Sequence, residues 1–500
     1  MNKVVGVLAT IAGLAVAEVV AGFLGGRAGP VLAVGEWVIE LTPGSVAERA
    51  IGVVGRADKP LLVVGVLVVL LAAGAGIGAL WPRSPALAGA GFAVLAAVGV
   101  VALLTRPGSR PVQALAPVAA GATAVLVLRL LHRASAAATS LPGSAVDAAG
   151  LDRRTFLRDA GLVLVGSAVV GGFGRWAGRA RGLVESARSG LSLPVRRAVV
   201  PAGADLGVDG VAPWLTPAKV FYRIDTALSP PLVEPDDWSL RIHGMVDHEI
   251  TLTYEELLGR GLVDAWVTLC CVSNPVGGEL VGNTRWSGVP IKDLLDEAGV
   301  RHGADALLSR SHDGWTCGTP LSVLTDGRDA LLAVAMDGEP LPVDHGFPVR
   351  QVVPGLYGYV SATKWVVDWE VTRFADFSAY WTERGWSPRG PVKTQCRIDV
   401  PYGDHPAGPL TVAGVAWAQH RGIEAVEVRV DEGPWQRARL AAVPNPDTWV
   451  QWEWEWDATR GDHVIDARAT DAAGEPQTKE RADVVPDGAT GYPRAQVHIG

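Results

Sequence analysis

Cysteine is scarce in this chain: four among 500 residues, at positions 270, 271, 317 and 396. That excludes a disulfide framework as the basis of the fold. Histidine is scarce too, with ten in all and one in the first 180 residues, so the apolar N-terminal part lacks a histidine pair to hold a haem between helices. No excess of positive charge exists: the net charge is −8, which argues against a nucleic-acid partner. A phosphate-cradling Walker loop, a GxSxG nucleophile elbow and an HExxH zinc helix are all missing. Their absence removes P-loop hydrolysis, that type of acyl transfer and zincin chemistry.

What is present divides near residue 180. Residues 1–180 hold 15 basic and 8 acidic residues, and the remainder 29 and 44, so the two parts carry +7 and −15. A basic, apolar first part suits a membrane and an acidic second part a soluble globule. Four apolar stretches, about 4–24, 60–81, 86–104 and 112–131, each approach the roughly 20 residues that span a hydrocarbon core. Gly, Ala, Val and Leu dominate them without a polar stripe, and small residues such as Gly74 and Gly78 let such helices pack closely. Residues 30–58 are amphipathic and are expected at the membrane surface or in a loop.

Residues 136–180 combine a linker with Arg153-Arg154-Thr155-Phe156-Leu157 and a weakly apolar run, Ala160–Phe173. This resembles a twin-arginine export signal that doubles as a fifth transmembrane helix. An even number of preceding helices then leaves the arginines inside and carries everything after about 180 outside. The expected organisation is a four-helix membrane region over 1–135, this fifth helix, and a surface tether over 181–218. A mixed α+β domain over 219–380 and a β-sandwich over 390–500 follow. The sandwich is expected because short alternating runs (Thr411–Ala416, Ala425–Val430, Trp449–Trp456, His463–Ala469) follow one another without helices. Within it Trp452, Trp454 and Trp456 are either interface aromatics or ordinary strand residues.

The α+β domain centres on residues 266–291. Trp266-Val267-Thr268-Leu269 form a β-branched run that ends at Cys270 and Cys271 and leads into a turn-rich stretch. A strand end can hold a thiolate rigidly as a soft metal ligand. A buried cysteine also serves as a small apolar residue, so the pair alone leaves both roles open.

The surrounding blocks narrow the choice. VTLCCVSN, then GNTRWSGVPIKDLL, then DHGFPVRQVVPGLYGYVSATKW at 344–365 resemble the sulfite oxidase family of molybdopterin enzymes, over about 220–500. The resemblance implies one molybdenum–molybdopterin per chain and no haem. It implies Cys271, three before Asn274, as the metal ligand, and Phe221, Arg223, His345, Arg350 and Lys364 as cofactor-binding residues. Arg223 would face the metal site as a catalytic residue, and His312, Asp313 and Thr319 lie in a region that contributes pterin contacts. The sandwich would be the immunoglobulin-like domain through which such enzymes often form homodimers.

Two departures stand out. Asp225 occupies the place of a family histidine. Asn274 is followed by Pro275-Val276, where sulfite oxidases proper carry an arginine that binds the dianion; Arg223 remains, and Arg285 or Arg421 would compensate in part. The implied activity is oxygen-atom transfer on sulfite or a related sulfur compound at the outer face of the cell membrane. A separate cytochrome or the quinone pool would exchange the electrons. S-oxide reduction, of the methionine sulfoxide type, is the enzymatic alternative. A metal-free binding or structural module on the same fold is the alternative of another class.

Overall fold

The fold is described from a computed structural model, over residues 2–24, 29–42, 46, 58–106, 109–139 and 181–500. The chain divides into two compact units, one formed by residues 1–183 with 226–230 and the other by 184–225 with 231–500. The expected linker from 140, the twin arginines and the fifth helix lie outside the described residues.

The first unit is helical: α1 (Asn2–Phe23), α2 (Pro30–Leu41), α3 (Asp58–Leu80), α4 (Pro85–Leu104) and α5 (Leu115–Thr139). Four of its helices are long and apolar enough to cross a membrane: Asn2–Phe23, Lys59–Leu80, Pro85–Leu104 and Pro111–His132. Ser84 starts α4 as its N-cap, its Oγ accepting from Leu87 N–H at 3.3 Å, with Pro85 at the first helical position. Helices α1 and α3 approach so closely at Gly6 and Gly78 that a Cβ on either would strike the other's backbone. Residues 30–41 are a helix rather than a loop, with Val31, Ala33 and Gly35 buried, and Glu36 pairs with Arg106 at 2.7 Å. Helix α5 runs further than the apolar stretch and takes in His132, whose ring lies tilted at 33° to that of Trp81 with 5.0 Å between centroids.

In the second unit two sheets build the α+β part. The first has the order β2 (Ile250–Thr253), β1 (Ser239–Gly244), β10 (Val366–Thr372), β5 (Ala306–Ser311), β6 (Thr316–Pro320). The second runs β3 (Val263–Cys270), β4 (Val281–Pro290), β7 (Leu331–Met336), β8 (Glu339–Pro340), with β9 (Arg350–Val352) paired to β7. All six residues of β7 are buried, matching its uninterrupted LLAVAM. Thr253 and Glu256 close a capping box on the short helix Tyr254–Gly259.

The C-terminal part is a two-sheet β-sandwich. One sheet has the order β11 (Gln395–Val400), β13 (Gly408–Trp417), β17 (Val450–Ala458), β16 (Arg439–Leu440). The other has β12 (Gly403–His405), β19 (Arg494–Ile499), β18 (Gly461–Asp471), β14 (Ile423–Val430), β15 (Gln436–Arg437). Trp452, Trp454 and Trp456 share the inner face of β17: Trp452 is fully buried and the other two pack against the same core toward its margin.

Residues 184–218 are not a surface tether but part of the fold. Trp214 is fully buried; it donates through Nε1 to Trp449 O at 3.2 Å and accepts at its own carbonyl from Trp449 Nε1 at 2.9 Å. Thr216 and Asn283 exchange two further bonds. Beyond a helix that ends at residue 190, isolated apolar anchors in an irregular backbone carry no periodicity, which is why the stretch reads as a tether.

Sandwich residues also seal the edge of β3. Thr268 N–H donates to Asp447 O at 2.9 Å, Thr268 Oγ1 accepts from Trp449 N–H at 2.7 Å, and Asn445 Nδ2 donates to Trp266 O at 3.1 Å. The edge that carries the cysteines is thereby paired rather than left open.

Candidate cofactor site

Strand β3 ends at Cys270, and Cys271 follows directly after it. Cys270 packs in the core with Val272, Val281 and Val360. Cys271 lies just past the strand, its N–H bonded to Leu280 O at 2.9 Å and its carbonyl accepting from Asn274 N–H at 3.1 Å. Asn274 Oδ1 accepts from Leu280 N–H at 2.8 Å, and Gly278 N–H closes on Pro275 O at 2.9 Å. The loop after the thiol is therefore tied to itself, and Arg397 of the sandwich adds a bond to Gly278 O at 3.1 Å. Burial raises the Cys271 thiol pKa, but hydrogen bonds from Ser273 and the charge of Lys364 pull it back. Cys270 is pushed up well above the usual range by burial and then by its neighbour thiol.

Residues 221–225 form the facing wall. Phe221 stacks on Tyr222 at 5.3 Å and meets Trp286 and His345 edge-on, both at 5.8 Å between centroids. Its ring lies where a side chain at 282 would be, so that a Cβ on Gly282 would come within 2.8 Å of it. Tyr222 stands beside the thiols; burial, then Cys271 and Cys270, push its hydroxyl pKa well above the ordinary value, against the pull of Arg350. Arg223 pairs with Asp225 at 2.8 Å and Asp344 at 3.1 Å.

Behind this wall three basic side chains converge. Arg350 is buried, donating to the carbonyls of His345 at 3.2 Å and Gln351 at 3.4 Å, with its guanidinium 4.9 Å from the Trp286 ring centroid. Among the described residues it has no carboxylate partner, and burial lowers its pKa to about 10. Lys364 bonds Asp225 Oδ2 at 2.7 Å, and burial lowers it to about 8 despite that pairing. His345, against Ala218 O at 3.1 Å, is lowered to about 4 by burial and then by the charges of Arg350 and Lys364. Two buried cations, with a histidine that they help to hold neutral, mark a place that gains by admitting an anion.

The donor set fits a phosphate-bearing, thiolate-ligated group. A buried guanidinium without a counter-ion among the described residues, an adjacent lysine and a histidine could supply what a phosphate needs, while Cys271 could supply a soft sulfur. The remaining sequence candidates fall elsewhere in the same unit. Thr319 is buried, donating to Val360 O at 2.7 Å and accepting from Gln351 Nε2 at 3.0 Å. His312 bonds Trp365 O through its backbone at 2.8 Å, and Asp313 caps Trp315 N–H at 3.4 Å. Neither compensating arginine reaches the thiol. Arg285 pairs opposite Trp266, four residues before Cys270, and its side chain turns to Asp264 at 3.5 Å; Arg421 is held by Asp471 at 2.8 Å. Tyr222, Ser273 and Asp344 escaped the sequence reading, although Tyr222 sits inside the Phe-Tyr-Arg string that prompted it.

Comparisons with known proteins agree with this chemistry. The family model described as an oxidoreductase molybdopterin binding domain matches residues 227–381. An uncharacterized oxidoreductase of Bacillus subtilis (strain 168), YuiH, is 33% identical over 153 residues, covering 31% of this chain and 74% of that protein. The mitochondrial sulfite oxidase of Drosophila melanogaster is 29% identical over 321 residues, 52% of this chain and 54% of that protein. The sulfite oxidase of Gallus gallus is 29% identical over 290 residues, 48% of this chain and 62% of that protein. The chain thus spans less than two thirds of the length of those two sulfite oxidases. Among solved structures, the sulfane dehydrogenase SoxCD from Paracoccus pantotrophus aligns at 24% identity with a TM-score of 0.48, over 58% of this chain and 84% of that one. The chain belongs to the sulfite oxidase family of molybdopterin oxidoreductases and is a molybdenum-dependent enzyme whose cofactor is molybdenum–molybdopterin.

Proposed function

We propose that this protein is a membrane-anchored oxidoreductase that transfers an oxygen atom to or from a small sulfur compound on the outer face of the cell membrane. The observation that carries the reading is the Arg350 guanidinium, buried near Lys364 and near Tyr222, which itself stands beside Cys271, and without a carboxylate partner among the described residues. In this reading Cys271 is the metal ligand, and His345, Arg350 and Lys364 hold the cofactor's phosphate. Phe221 shapes the wall of the cleft, and Arg223 orients substrate or cofactor from its pair with Asp225. The cofactor supplies the two-electron oxygen-atom chemistry, and the protein's own residues bind, orient and exclude water. Electrons pass to or from a separate cytochrome or the quinone pool, and the sandwich is the candidate surface for a homodimer.

Sulfite is the leading substrate class, and S-oxide reduction is supported by a specific observation. Pro275-Val276 stand where a substrate-binding arginine is expected, and Arg285 and Arg421 are committed to carboxylates. Loss of a charge-assisted hydrogen bond to a dianion costs about 1.5–3 kcal/mol. The cofactor-loaded enzyme, assayed against sulfite and a panel of S-oxides, should turn over sulfite with a KM far above the low micromolar range. A low-micromolar KM would overturn the account of the pocket. Molybdenum absent from protein made in a cofactor-competent host would instead favour a metal-free binding module.

Export rests on Arg153 and Arg154 ahead of a weakly apolar run. Replacing both by lysine should keep the protein in the membrane with its catalytic part on the cytoplasmic side. Unchanged exposure to external protease would defeat this.

A further inference from the structure

On the sandwich, away from the cysteine cleft, strands β14 and β18 and the segment leading into β19 enclose an open cavity of about 420 Å³. Its walls carry Arg429, Arg468, Arg494, Lys479 and Arg481, and Asp466 is the one carboxylate among the lining residues. The soluble part of the chain is acidic, so this is a local reversal of sign.

Three of these cations are fixed in place. Asp466, itself buried, accepts from Arg429 at 2.9 Å and from Arg494 at 2.8 Å, and Arg468 is held by Glu427 at 2.8 Å. The guanidiniums of Arg429 and Arg468 lie 4.6 and 4.4 Å from the centroid of Trp435, which meets Tyr492 edge-on at 5.6 Å. An indole ring and two carboxylates thus orient guanidinium forks rather than neutralise the pocket. Lys479 and Arg481 are exposed and have no ion-pair partner among the described residues. Even when Glu427 and the nearby Glu432 are counted with Asp466, two positive charges remain in excess.

We infer that this cavity is a binding site for a ligand bearing a phosphate or sulfate ester group. Pre-oriented guanidinium forks match the geometry of such oxyanions, and the volume admits more than the bare ion. The inference is independent of the reading of the cofactor cleft. The oxyanion has two sources, an anionic lipid headgroup or a soluble phosphorylated compound.

The test uses the full-length, cofactor-loaded protein in detergent at physiological salt, so that the cations of the cofactor cleft are already engaged. Calorimetric titrations with pyrophosphate, glycerol phosphate and dihexanoyl phosphatidylglycerol are compared for the native chain, Lys479→Ala/Arg481→Ala and Trp435→Leu. The expected result is saturable binding that weakens by about tenfold or more in the double variant, whose changes are at exposed positions. Trp435→Leu should weaken it as well. Tighter binding of the short-chain lipid than of glycerol phosphate would identify a headgroup source; equal binding would identify a soluble ligand, and both support the site. Absence of saturable binding for all three probes, or equal affinity in the double variant, would overturn it.

Discussion

Lys364 and Asp225 form an ion pair 2.7 Å long in which the two side chains are 10% and 6% exposed. Asp225 stands where the family resemblance leads one to expect a histidine, and it also holds Arg223 at 2.8 Å. If Lys364 holds the cofactor's phosphate, as proposed, the carboxylate occupies a cation that the phosphate would claim, and loading would exchange one anion for another. Removing one partner of a buried pair costs about 3–5 kcal/mol because the other charge is stranded. Asp225→Asn should lower the stability of the cofactor-free protein by a sizeable part of that amount. It should lower that of the loaded protein by much less, as read from denaturation of both forms.

The adjacent cysteines should separate cleanly. Cys270→Ala removes a thiol packed among Val272 and Val281, and should keep molybdenum and activity at about 1–2 kcal/mol of stability. Cys271→Ser should abolish turnover even where the pterin stays bound. X-ray absorption at the molybdenum edge counts the sulfur ligands in each variant, and loss of one in the Cys270 variant alone would reverse the assignment.

His345 confers a defined acid sensitivity. Its folded-state pKa is lowered to about 4 from an ordinary value of 6.5, by burial and then by Arg350 and Lys364. A base with a depressed pKa binds fewer protons folded than unfolded between those two values, so stability falls as pH drops from 6.5 toward 4. The loss is at most about 3 kcal/mol. His345→Gln should flatten this part of the melting-temperature profile of the cofactor-free protein, and an unchanged slope would count against it.

Gly282 is a steric gauge of the aromatic wall. A Cβ there would come within 2.8 Å of the Phe221 ring, which also touches Tyr222, Trp286 and His345. Gly282→Ala should destabilise the fold by about 1–3 kcal/mol and reduce the molybdenum content of purified protein. Metal analysis and melting curves check both parts.

Much of the site is legible in the chain because its parts are local strings. The family resemblance singles out Cys271 by its register to Asn274, and His345, Arg350 and Lys364 through DHGFPVR and TKW. The strands emerge where one face or none is solvated, as in LLAVAM and in the alternation around Trp452. Illegible are relations made by distant residues: Asp225 crossing to Lys364, Tyr222 leaning on the thiols, and Trp214 locking to Trp449 across 235 positions. Those depend on which loops meet, and neither periodicity nor spacing encodes that.

The sealed edge of β3 has a consequence for the order of assembly. The strand that presents Cys271 is completed by Asn445, Asp447 and Trp449, and the loop after it is braced by Arg397. During synthesis Cys271 emerges long before the residues that immobilise its strand and loop. If Cys271 is the ligand, as proposed, its rigid seat would be complete only once residues through Trp449 have been made, so that cofactor insertion would be a late checkpoint which a product truncated before that point could not pass.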